Sequence, residues 1–133
     1  MNKLKCLLLL LGVISIGACR PDKTSYELHD LEGDWRRTWS TDYRSDSMIV
    51  RILPKSDSAF ITFSPTSSDF TNGQVKWEGI HPTVGDIHFQ LYDLSADSTP
   101  LKANIVLKSA TKLELNSVDY PDAPGGVQEW EKI

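Results

Sequence analysis

The chain has 133 residues, with 14 basic and 18 acidic side chains, 40% hydrophobic and 9% aromatic residues. That size and balance exclude a multidomain enzyme, a coiled coil and a disordered tail. A formal net charge of −4 disfavours a nucleic-acid partner, which requires a basic face to displace phosphate counterions.

The first element is residues 1–18. Lys3 and Lys5 precede an apolar run from Cys6 to Ile16, and small residues then lead into Cys19. This is the layout of a secretory signal peptide, with an apolar run too short for a comfortable membrane span. Ile16, Gly17, Ala18 and Cys19 resemble the lipobox of bacterial lipoproteins. The resemblance implies cleavage before Cys19, a diacylglyceryl group on its sulfur and an acyl chain on its new amino group. At about 0.8 kcal/mol per buried methylene, such an anchor is effectively permanent. Arg20 follows, rather than the aspartate that marks inner-membrane retention in enteric bacteria, so the expected address is the cell envelope, at the outer membrane. The protein's first partner is then the membrane, reached through the lipid on Cys19.

Processing also changes the chemistry available. Cys6 leaves with the signal and Cys19 is consumed by lipid, so the mature domain has no thiol for a disulfide, a thiolate metal site or a cysteine nucleophile. Without Lys3 and Lys5, 12 basic residues face 18 acidic ones, a net charge of −6. Electrostatic docking to an anionic surface is disfavoured as well.

Residues 19–31 are mostly polar and read as a lipidated tether, with Tyr26 to Leu31 long enough for one helical turn closing an end of the fold. Residues 32–133 form the folded domain. Their pattern predicts eight short strands: Asp34 to Trp39, Met48 to Leu53, Ala59 to Ser64, Gln74 to Ile80, Asp86 to Tyr92, Lys102 to Lys108, Lys112 to Asn116 and Gln128 to Ile133. Val75 and Trp77 oppose Lys76 and Glu78; Ile87, Phe89 and Leu91 oppose His88, Gln90 and Tyr92; Leu101, Ala103, Ile105 and Leu107 oppose Lys102, Asn104 and Lys108. Period two with one apolar face is the mark of a half-buried antiparallel sheet. Asn72-Gly73, Ser64-Pro65, Leu53-Pro54, His81-Pro82 and Gly125-Gly126 punctuate the runs as turns. Short connections predict an all-β, up-and-down antiparallel meander, and closure into a small barrel removes exposed edges. An open half-barrel or a small sandwich is the alternative.

The first strand opens Leu31-Glu32-Gly33-Asp34-Trp35, and this L-x-G-x-W resembles the opening signature of lipocalins and the wider calycin group. The resemblance implies that Gly33 allows a tight chain entry and that Trp35 plugs the barrel floor. An aromatic in that place buries roughly 200 Å². The chain departs from the full family in its short length, in lacking a C-terminal helix, and in having no late arginine to cover the tryptophan. Lys132 is the nearest substitute. The better match is to compact lipocalin-like lipoproteins of Bacteroidetes-type bacteria, which also follow a lipobox and end in a tryptophan-bearing strand like Glu129-Trp130-Glu131-Lys132.

Catalytic signatures are weak. His29, His81 and His88 lack metal-ligand spacing, Ser64-Pro65-Thr66-Ser67-Ser68 is a polar loop without a nucleophile elbow, and no glycine-rich phosphate loop opens a helix. Glu129 and Glu131 share a strand face that should meet solvent. The expectation is therefore a protein that is not an enzyme, with no cofactor and no metal. Trp35, Arg37, Trp39, Trp77, Phe89 and Trp130 are the expected inward residues and the candidate ligand-binding set. By alternation Arg37 shares the face of Trp35 and Trp39, so it needs either an acidic partner or a ligand carboxylate. The leading expectation is a small apolar or amphipathic ligand inside the barrel; the alternative is a packed barrel acting as an interaction or accessory module with an envelope protein.

Overall fold

The computed structural model describes residues 25–41 and 47–133. The signal peptide (1–18), Cys19 and the tether up to residue 24 lie outside the described residues. The eight strands are β1 (Gly33–Ser40), β2 (Ile49–Ile52), β3 (Ala59–Phe63), β4 (Val75–Pro82), β5 (Phe89–Leu94), β6 (Pro100–Ser109), β7 (Lys112–Ser117) and β8 (Val127–Lys132). Each pairs antiparallel with its sequence neighbours, and β8 returns to β1, so the meander closes as a barrel. All eight expected strands are present, the predicted closure holds, and neither an open half-barrel nor a sandwich forms.

The two ends differ. At one end the chain enters through a 3-10 turn, Leu28–Leu31, in which Asp30 accepts a hydrogen bond from the Glu27 N–H at 2.8 Å. Leu31 and Trp35 are fully buried there, and the Trp35 indole N–H donates to the Leu31 carbonyl at 2.9 Å. Gly33 between them has φ of +119°, a backbone state that side chains with a Cβ rarely adopt. Lys132 lays its ammonium 5.2 Å from the Trp35 ring centre and donates to the Asp30 carbonyl at 3.3 Å. Tyr26 packs its ring 4.3 Å from that of His88, so the packed domain draws in the segment from Tyr26 onward. We name this the helix end. At the other, the loop end, lie the connections 64–74, 95–99 and 118–126 and the described parts of the β1–β2 connection.

The interior is an apolar core of Trp35, Val50, Ile61, Trp77, Phe89, Leu91, Ile105, Leu113, Leu115 and Trp130, each 2% exposed or less, with their neighbours. In β5, β6, β7 and β8 alternation predicts this set correctly. Among the register irregularities of the described strands, those on β1 and β4 change which residues face inward. On β1, Arg37 faces Trp130 and Trp39 faces Glu129, so two residues of β1 span one of β8. The phase flips, Ser40 turns inward at 2% exposure, and Trp39, expected inside, stands 46% exposed. On β4, Trp77 faces Ala59 while Val75 faces Phe60, again two residues against one. Val75, expected inside, is 39% exposed, and Lys76, expected outside, is buried.

Candidate functional site

Of the six residues expected to line a ligand chamber, five are inside: Trp35, Trp77 and Phe89 at 0%, Trp130 at 1% and Arg37 at 5% exposure. Trp39 is the exception, excluded by the β1 bulge. Four of the five belong to one packed core, and Arg37 is buried beside them. Trp77 meets Trp130 edge to face with ring centres 4.9 Å apart. The Arg37 guanidinium sits 5.6 Å from the Trp130 ring centre, which satisfies part of the charge's need for a polarisable neighbour.

Toward the loop end a buried polar chain crosses the lumen. Lys76 donates to Asp93 at 2.5 Å and to the Leu94 carbonyl at 2.8 Å, and its ammonium lies 4.7 Å from the Phe70 ring centre. The second Asp93 oxygen accepts from the Gln128 amide at 2.9 Å. Gln128 also donates to the Gly125 carbonyl at 2.8 Å, and its own carbonyl accepts from the Trp130 indole N–H at 3.1 Å. β4, β5 and β8 are thereby tied across the barrel. Beside the chain the mouth keeps a cavity of about 40 Å³, bounded by Asp93, Ser117, Tyr120 and Gly126, room for on the order of one water. Both carboxylate oxygens of Asp93 are engaged, which leaves it poorly placed as a base or nucleophile.

Lys76, Asp93 and Gln128 are not in the sequence-derived set, although two of them carried a signal. Asp93 continues the inward phase of Phe89 and Leu91, and Gln128 shares that of Trp130. Lys76 carried none, since its burial depends on the bulge.

The histidines are held apart. His29 is at the surface beside Glu27 at 3.2 Å, His81 Nδ1 lies 2.9 Å from the Gly79 carbonyl, and His88 Nδ1 accepts the Leu107 N–H at 2.8 Å. Among the described residues, no group of three or more His, Cys, Asp or Glu is placed to hold a metal ion. Burial pushes the His88 imidazole below its ordinary value, with Asp86 opposing and Lys108 reinforcing the shift.

Among the described residues, larger hollows lie outside the lumen. One, about 370 Å³, lies on the wall of β7, β8 and β1 and is rimmed by Lys108, Lys112, Glu114, Glu129 and Glu131. Another, about 680 Å³, lies at the helix end between Ser25–Glu27 and the β4–β5 connection. Toward the loop end, Trp39 and Phe63 on the strand ends and Tyr120 in the 118–126 loop are exposed, as are Val75 and Val118, while Tyr92 is exposed on the outer wall of β5. Thr41 donates to the Ala123 carbonyl at 2.8 Å, which holds that loop against the end of β1 near Trp39.

Compared with protein-family models, curated proteins and solved structures, the chain matches none.

Proposed function

We propose that the protein is a lipocalin-like lipoprotein, anchored in the cell envelope through lipid on Cys19, whose barrel is a packed scaffold for a loop-borne surface that binds another envelope protein. It works by binding and carries out no reaction. The observation that carries this reading is the contrast between a lumen filled by Trp35, Trp77, Phe89 and Trp130, each 0 to 1% exposed, and a loop end where Trp39 and Tyr120 are 46% and 58% exposed. A drug-sized ligand needs a pocket of some 300 Å³ or more, several times the volume left at the mouth. Exposed tryptophan and tyrosine are the side chains that most often carry binding energy between proteins. The lipocalin-like part of the reading draws support from Gly33 at the chain entry, Trp35 on the barrel floor and Lys132 over its ring. The lipid anchor draws support from Ile16 to Cys19, and Arg20 in place of a retention aspartate favours the outer membrane.

The test is crosslinking in the native envelope from a photoreactive residue at position 120, followed by Trp39→Ala and Tyr120→Ala in the purified pair. The expected result is one partner of defined mass whose affinity falls about tenfold or more with either change. If instead fatty acids, sterols or bile-type acids saturate the protein and shift its tryptophan emission, the ligand-carrier alternative replaces this reading.

A further inference from the structure

We infer that the helix end of the barrel is a seat on the membrane, a face that dips exposed aliphatic side chains into a zwitterionic phospholipid surface. The inference rests on the lipid-anchor reading and adds an orientation to it.

The chain leaves the packed domain at Ser25–Glu27, against Pro82, Val84 and Ile87 of the β4–β5 connection. Five residues lie between Cys19 and Ser25, six chain steps, so a lipid on Cys19 holds this point within about 20 Å of the bilayer even with the chain fully extended. The end so held carries aliphatic side chains bare to solvent. Val84 is 98% exposed beside the exit, Leu53 follows β2 at 51%, and Ile133 follows β8 at 57%. Ile133 and Leu53 flank the start of β1, since the Ile133 N–H bonds to Asp34 and Gly33 pairs with Ile52. Three aliphatic points around one tether exit form a tripod, and short side chains suit insertion at the level of the headgroups.

Charge selects the lipid. Lys55, Lys108, Lys112 and Lys132 toward this end are offset by Glu27, Asp30, Glu32, Asp57 and Asp86, so an anionic surface gains nothing over a neutral one. Seating should therefore survive high salt. The loop end, with Trp39 and Tyr120, is carried the length of the strands away from the bilayer, where another protein can reach it.

The test uses the full chain, processed and lipidated in cells, then reconstituted in phosphatidylcholine vesicles. The mature domain has no other free thiol, so single cysteines at Val84→Cys, Leu53→Cys, Ile133→Cys and Tyr120→Cys take an environment-sensitive label cleanly. Lipids bearing a quencher near the headgroup should quench positions 84, 53 and 133 about threefold or more above position 120, with no loss at high salt. Val84→Asp, at a site too exposed to disturb folding, should lower quenching at 53 and 133. Equal quenching at both ends, or an unquenched position 84 on a protein whose mass shows the lipid on Cys19, overturns the seat and leaves the anchor intact. A Cys19 without lipid in that mass measurement overturns both. Protection of position 84 in envelope extracts but not in vesicles overturns the seat in favour of a protein partner.

Discussion

Lys76 shows how a single side chain can govern one end of the barrel. The residue is 3% exposed and its ammonium is tied to Asp93, itself 8% exposed, so removing either partner strands a charge in a nearly dry place. Lys76→Met should cost about 3–5 kcal/mol in urea unfolding, and Asp93→Asn added to it should restore part of that loss because the remaining charge is gone. The tryptophans give a sharper contrast. Trp35→Ala, in the closed floor, should cost about 3–5 kcal/mol, whereas Trp39→Ala should stay within about 0.5 kcal/mol although both lie on β1. Equal costs would mean that the bulge at Thr38 does not turn Trp39 out. His88 supplies a pH dependence. Its imidazole titrates below the ordinary value of 6.5, so the unfolded chain takes up the proton first as pH falls. The stability this contributes is complete above about 6.5 and is lost as pH drops through that value toward the folded one. The denaturation midpoint should therefore fall between pH 7.5 and 5.5, and His88→Gln, which keeps an acceptor for Leu107 without a titratable group, should flatten that window.

At the scale of elements, β1 is the strand on which both ends depend. Gly33 starts it in a left-handed state at the helix end, and a bulge reverses its phase before the loop end. The 118–126 loop is shaped by a closer constraint. A Cβ on Gly126 would lie 2.2 Å from the Tyr120 carbonyl oxygen and 2.6 Å from that of Pro121, both backbone atoms that cannot swing aside. Gly126→Ala must push the loop away from β8. Amide chemical shifts should then change from Val118 through Gln128, stability should fall by about 1–3 kcal/mol, and partner binding through Tyr120 should weaken. A substitution felt only at position 126 would contradict this close approach. By contrast, the exposed Arg51–Asp34 pair at 2.7 Å joins β1 and β2 on the outer wall, where solvent leaves such pairs worth little.

For the whole molecule, the consequence of a filled lumen is optical as well as functional. Three of the four tryptophans are 0 to 1% exposed and Trp39 is 46% exposed. A collisional quencher such as acrylamide should reach mainly one emitter, and Trp39→Phe should remove most of the quenchable signal. Quenching of all four would require a lumen open to solvent. The barrel also holds its two proposed contact faces apart, with Ser25–Glu27 at one end and exposed Trp39 and Tyr120 at the other. On the proposed reading, a folded domain of about 100 residues within this 133-residue chain stands on a membrane at one end and presents a surface at the other.

Much of the architecture was legible in the chain itself. Alternation in β5, β6 and β8 placed Phe89, Leu91, Ile105 and Trp130 inside, Leu53-Pro54, Ser64-Pro65, Asn72-Gly73 and Gly125-Gly126 placed connections, and Leu31-Glu32-Gly33-Asp34-Trp35 marked the entry, whereas His81-Pro82, expected as a turn, continues β4 in register with Gln90 and Phe89. These are local signals: a strand with one wet face must repeat every two residues, and a tight turn needs particular backbone freedom. The site was less legible. Whether Trp39 lines the lumen or solvent, and whether Lys76 is outside or buried on Asp93, depends on one extra residue in a strand relative to its neighbour. A bulge is a property of the pairing between strands, and neither strand's own periodicity contains it. Whether the lumen is empty or full depends likewise on how the side chains of eight strands add up in volume. The order of elements therefore belonged to the sequence alone, while the loss of the chamber and the gain of an outward aromatic face were decided by closure of the barrel.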